Sequence, residues 1–102
     1  MTSFAPRYVR ELTASATNID FTVGKYPVQI TAIGLVDEEA IPLQHDIASG
    51  YETMQDELLV DYQLSVTQKR LGINYPGKYR LAKGVTDGAV TLIIEGNVRF
   101  HL

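Results

Sequence analysis

The stretch ELLVDYQLSVTQ, residues 57–68, places an apolar side chain at every second position. Leu58, Val60, Tyr62, Leu64 and Val66 fall on one side, and Leu59, Asp61, Gln63, Ser65 and Thr67 on the other. Side chains alternate across a strand with a period of two, whereas a helix repeats every 3.6 residues. Five matches in succession, rich in β-branched and aromatic residues, specify a half-buried strand. NIDFTVG repeats the pattern, with Ile19, Phe21 and Val23 inward and Asn18, Asp20 and Thr22 outward. NVRFHL does so with Val98, Phe100 and Leu102 against Arg99 and His101. In PVQITAIGLV the inward set Val28, Ile30 and Ala32 slips to Ile33 and Leu35, which predicts a bulge or bend near Gly34.

No stretch holds a helical period over ten residues. SGYETMQDELL, residues 49–59, is the best short helix candidate, with Ser49 or Thr53 as cap, against a polar loop as the rival reading. Strands are expected over 8–13, 18–24, 27–36, 41–47, 57–67, 78–85, 89–95 and 98–102. Many short strands punctuated by turns predict an all-β fold, an antiparallel β-sandwich or small barrel of about seven or eight strands.

The turns set the expected order of the last third. Pro76 fixes φ at the second position of Tyr75-Pro76-Gly77-Lys78 and Gly77 supplies a positive φ at the third, the signature of a type II turn. Asp87-Gly88 between strand-like runs is a strong hairpin signal, and Gly96-Asn97 offers a second two-residue connection. Residues 78–85, 89–95 and 98–102 are therefore expected to form a C-terminal three-strand antiparallel meander. Its middle strand, AVTLII, is apolar on both faces, as a strand covered on both sides would be.

With 102 residues the chain is expected to form one domain, residues 8–102, preceded by a flexible arm, residues 1–7. Apolar residues make up 45% and charged residues 21%, which is ordinary globular usage. A net charge of −3 with nine scattered Lys and Arg makes no basic face, so no nucleic-acid partner is expected. The start, MTSFAPRYVRELT, has no apolar core and is not read as a signal peptide, and no apolar stretch is long enough to span a membrane. No membrane partner is expected.

Catalysis needs convergent groups, and the sequence brings few together. Absence of cysteine removes thiol chemistry and thiolate metal sites. His45 and Asp46 are strand neighbours and should point to opposite faces, and His101 lies on the outward phase of the last strand. Asp37-Glu38-Glu39 lacks the spacing and glycine of a calcium loop and reads as a solvated turn. No nucleophile elbow and no phosphate-binding glycine pattern occurs. The expectation is a protein that is not an enzyme, with no catalytic residue, cofactor or metal. Among the six tyrosines, Tyr62 is in phase with the core, and Tyr75 and Tyr79 flank the Pro-Gly turn as a candidate cross-strand pair.

INYPGKYRLAKGVTDGAVTLIIEG, residues 73–96, resembles the PG-x-Y-R-L strand and hairpin of small β-sandwich structural proteins of tailed-bacteriophage virions, among them head-decoration, head-fibre and tail-associated modules. The resemblance implies a many-copy virion protein, made in the host cytoplasm, whose partners are copies of itself and other capsid or tail proteins. The alternative is a β-sandwich module that recognises a glycan or peptide. For assembly the residues to watch are Phe4 and Pro6 on the arm, and Arg99 guarding a last strand that could lie at a sheet edge.

Overall fold

A computed structural model gives the structure of the protein and describes residues 6–55 and 61–101. Eight strands occur among these residues: β1 Arg7–Leu12, β2 Thr17–Ile33, β3 Ala40–Asp46, β4 Tyr51–Thr53, β5 Gln63–Ser65, β6 Arg70–Ile73, β7 Gly77–Lys83 and β8 Val90–His101. Every pairing is antiparallel. The all-β antiparallel architecture expected from the alternation is the one formed. The strands make one sheet in the order β1-β8-β2-β7-β3-β4, with β6 also on β2 and β5 also on β3, and it curls into a half-barrel.

Two long strands organise the sheet. The first half of β2 pairs with β7 and its second half with β6, while β8 runs along the other flank of both halves. β6 and β7 thus lie end to end along β2, interrupted at residues 74–76. The register of β2 on β8 shifts between Val23 and Lys25 and again between Lys25 and Gln29. The bend in β2, Gly96 in β8 and the break before Gly77 lie alongside one another, and the sheet folds over along that line. The concave side carries the apolar residues of both halves in a single cluster, including Phe21, Ile30, Ile41, Leu43, Leu64, Leu81, Leu92 and Ile94, all fully buried.

The inward phases read from NIDFTVG and PVQITA are correct: Ile19, Phe21, Val23, Val28, Ile30 and Ala32 are buried. The expected slip of the inward phase to Ile33 does not occur, because β2 keeps its alternation to its end and Ile33 is exposed. Gly34, with φ 109°, ends β2, and the bulge falls earlier, between Val23 and Gln29. In the 57–67 segment Leu64 is buried, but Val66 has left the inward phase and is exposed, because the chain turns back after Ser65, whose amide donates to the Gln68 carbonyl. Residues 56–60 of that expected strand lie outside the described residues. Over residues 49–55 the helix candidate is instead the end of a β3–β4 hairpin, and its residues 56–59 lie outside the described residues. Ala48 takes φ 73°, the Ile47 amide donates to Gly50, and β4 follows at Tyr51–Thr53.

The expected C-terminal meander does not form. β7 and β8 do not pair, because β2 lies between them, so residues 84–89 cross from one flank of β2 to the other. Asp87 and Gly88 accordingly take no positive φ. Their connection is held instead by the Thr86 amide on the Ala14 carbonyl, the Thr86 hydroxyl on Gly88 and the Asp87 amide on the Glu39 carboxylate. Gly96-Asn97 is likewise no hairpin, since residues 90–101 run on as one strand past the β2 bulge. Gly88 meets no atom where a Cβ would stand. Gly88→Val should therefore change the urea midpoint by the equivalent of no more than about 0.5 kcal/mol; a loss above about 1 kcal/mol would restore a strained hairpin at this position.

Candidate functional site

Of the residues singled out for assembly, Phe4 lies outside the described residues. Pro6 and Arg7, expected in a flexible arm, are held against the domain. The Pro6 carbonyl accepts a 2.8 Å bond from the Gly96 amide, and Arg7 stands in register with Glu95. β1 therefore covers β8 only from Val90 to Glu95. Beyond Gly96, residues 97–101 pair with β2 on one flank, and no strand among the described residues occupies the other. Arg99 is exposed on this stretch.

The surface turned outward by the neighbouring strands is polar and tied together across the sheet. His101, Asp20, Arg80, Gln44 and Thr53 stand directly opposite one another on β8, β2, β7, β3 and β4. The Arg80 guanidinium grips Asp20 with both carboxylate oxygens, Nε to Oδ1 at 2.6 Å and Nη2 to Oδ2 at 2.9 Å, and lies 4.1 Å from the centre of the Tyr51 ring. The Gln44 amide donates to the Thr53 hydroxyl, and the His101 ring bonds Thr22. Hydrogen bonding from Arg80 holds the Asp20 carboxyl below its ordinary value, more than burial raises it. A depressed folded-state value stabilises the protein above the unfolded carboxylate value near 3.8, and that stabilisation disappears as pH falls through the lowered one. The melting temperature of Asp20→Asn should therefore lie below the parent's at pH 7, and the gap should close toward pH 3. A gap independent of pH would exclude this role for the pair.

A second feature sits where β5 approaches β6 without pairing. The Tyr62 hydroxyl donates to the Gly72 carbonyl at 2.7 Å and accepts from the Gly72 amide at 3.0 Å, so one side chain takes the place of a strand neighbour. Beside it opens a cleft of about 210 Å³ lined by Met54, Gln55, Tyr62, Ile73, Tyr75 and Tyr79. Tyr75 and Tyr79 do not pack ring on ring across the Pro-Gly turn. Tyr79 is buried and stacks on Phe21, its hydroxyl donates to the Tyr75 carbonyl, and burial raises its phenol pKa, while the Tyr75 side chain is 73% exposed. Gly77 does take positive φ, at 147°. Tyr62→Phe should cost about 1 kcal/mol and speed exchange of the Gly72 amide, because both backbone groups lose a protein partner; unchanged exchange would mean that the bridge contributes nothing.

Two polar anchors carry no sequence signal of their own. Lys83 is buried, and its ammonium donates to the Ser15 carbonyl at 2.9 Å and the Gly84 carbonyl at 3.0 Å. Glu39, from the run expected to be merely solvated, ties two loops by accepting from the amides of Val36 and Asp87. His45 stands opposite Glu52 and Tyr79 in the sheet, far along it from His101 at the end of β8. Among the described residues no group of three His, Cys, Asp or Glu side chains could hold a metal ion. No family model matches this chain, and no curated protein or solved structure matches it either.

Proposed function

We propose that the chain is a non-enzymatic structural protein of a tailed-bacteriophage particle, which binds capsid or tail neighbours and copies of itself. The observation that carries this reading is the flank of β8 over residues 97–101, which no strand among the described residues occupies. Unpaired N–H and C=O groups on a strand of five residues are a template for an added strand from a neighbour, and soluble monomers usually cover or shorten such an edge. The likeness of residues 73–96 to virion modules points the same way. Phe4 enters as an aromatic that would dock on a neighbour.

Two experiments test the reading. Density-gradient fractions of the particles, probed with antibody to the chain, should contain it at many copies per particle; a chain confined to the soluble fractions overturns the proposal. Deleting residues 2–5, which spares Pro6 and Arg7, should leave the melting temperature of the isolated subunit nearly unchanged and weaken attachment to the particle. Equal attachment would remove the arm from the interface.

The tyrosine-lined cleft favours a second reading, recognition of a glycan or peptide. Tyr75 presents its ring beside a pocket of about 210 Å³, smaller than most ligand sites. Binding on a glycan or peptide array that is abolished by Tyr75→Ala would replace the first reading with the second.

A further inference from the structure

We propose that the convex face of β1, β8, β2 and β6 is a two-fold contact between copies of this chain. The proposal rests on the structural reading above and names one self-association surface within it. The strands present outward the residues that alternate with the core. On β1 these are Arg7, Val9 and Glu11, all exposed. On β8 they are Thr91, Ile93 and Glu95, and on β2 they are Gln29, Thr31 and Ile33. Pairing places Val9, Ile93, Thr31 and Arg70 in one row across four strands, with Arg7, Glu95 and Gln29 in the row on one side and Glu11, Thr91 and Ile33 in the row on the other. The centre is thus a patch of β-branched side chains in which Val9 is 58% and Ile33 56% exposed. It is also the outward face of AVTLII, a segment whose composition suits cover on both sides, while the described residues cover only the inner one.

The charges identify the occupant as a second copy. Sheets that pack face to face keep their strands within about 30° of each other. A two-fold axis lying along the Val9–Ile93–Thr31 row then exchanges the rows on either side. It sets Arg7 of each copy against Glu11 of the other, and Ile33 against the aliphatic stem of Gln29, while Val9, Ile93 and Thr31 meet their own counterparts. Such self-complementarity is what an isologous interface requires. Arg70 meets its own counterpart at the far rim, where solvent screens the repulsion. The patch measures roughly 17 Å along the strands and about 15 Å across them. That is less than a standard interface, so the contact is weak in solution and gains from high local copy number.

Sedimentation velocity from about 10 μM to 1 mM tests it. The parent should show a monomer–dimer equilibrium within that range. Arg7→Glu should weaken dimerisation by at least about tenfold by setting glutamates against each other, and the double variant Arg7→Glu, Glu11→Arg should restore it. Val9→Asn, at an exposed position, should also weaken it, and Arg70→Ser should tighten it. Each variant is compared at matched melting temperature, so loss of fold is not read as loss of contact. A parent that stays monomeric to 1 mM overturns the proposal, since some other partner must then cover the face. A parent dimer indifferent to Arg7→Glu and Val9→Asn overturns it as well, by moving self-association elsewhere. Neither result bears on the presence of the chain in particles, which the gradient experiment decides.

Discussion

Phe21→Ala should lower the unfolding free energy by about 3–5 kcal/mol, the range for removing a fully buried aromatic side chain. Phe21 has no exposed surface and stands in the middle of β2, directly opposite Tyr79 on β7 and Phe100 on β8. Its ring stacks on Tyr79 with centroids 6.0 Å apart and meets Phe100 at 6.3 Å, tilted by 56°. Phe100 is in turn met edge-on by Tyr8 at 5.2 Å and lies under the Arg10 guanidinium. The removed ring therefore leaves a hole flanked by aromatic side chains that strand registers hold apart, so collapse into it is limited. The aromatic contacts themselves add to the area term, by about 0.5–1.5 kcal/mol for a well-placed pair. Asn18→Ala, at an exposed position on the same strand, should stay within about 0.5 kcal/mol of the parent. Urea denaturation of the two variants decides the matter, and a Phe21→Ala loss below about 1 kcal/mol would place that ring outside the core.

That Phe21 is central was readable in the sequence, because it needs only the phase of NIDFTVG. Alternation is a local signal, and it located Ile19, Phe21, Val23, Val28, Ile30 and Ala32 on β2 and Val98 on β8. It could not say which strands meet. Asp87-Gly88 is compatible with a hairpin and equally with the turn at the end of a crossover; the choice is made by β2, which occupies the flank of β7 that β8 would need. Gly96-Asn97 is likewise a hairpin signal taken alone, and it runs on as strand opposite the β2 bulge, where Pro27 and Val28 stand against Gly96. β6, with only Leu71 and Ile73 to mark its phase, was too short to stand out.

The surfaces were legible to a lesser degree. The outward phase of Arg99 follows from the alternation of the last strand. The double exposure of AVTLII was visible as excess apolarity, but its neighbours Val9 and Ile33 join it only through pairing. The Tyr62 bridge was hidden, because phase assigns a side chain to the core without saying where its hydroxyl ends. Arg80 and Asp20 are sixty residues apart in sequence and acquire each other through the β2–β7 register.

Gly96 should be, with Gly34, one of the two least replaceable glycines in the chain. Its φ of 135° is one that L side chains rarely adopt, and a Cβ built there would lie 2.8 Å from Val28 Cγ2, 3.0 Å from Val28 Cα and 3.1 Å from the Pro27 carbonyl oxygen. Backbone strain of this kind costs about 1–3 kcal/mol, and overpacking adds about as much again. Gly96→Ala should therefore destabilise the domain by about 3 kcal/mol, and Gly96→Val by more, up to loss of the fold. The two causes separate in a double variant. Val28→Ala removes the Cγ2 contact and leaves the φ requirement and the approaching backbone in place. Gly96→Ala combined with Val28→Ala should accordingly cost less than the two single losses together, by about 1 kcal/mol, since residues in contact couple on that scale. Strict additivity would show that φ and the approaching backbone, not the Val28 side chain, forbid a side chain at this position. A neutral Gly96→Ala would go further and remove the bend: β8 would then cross from one half of the sheet to the other without the close approach to β2 that now fixes where the half-barrel folds over.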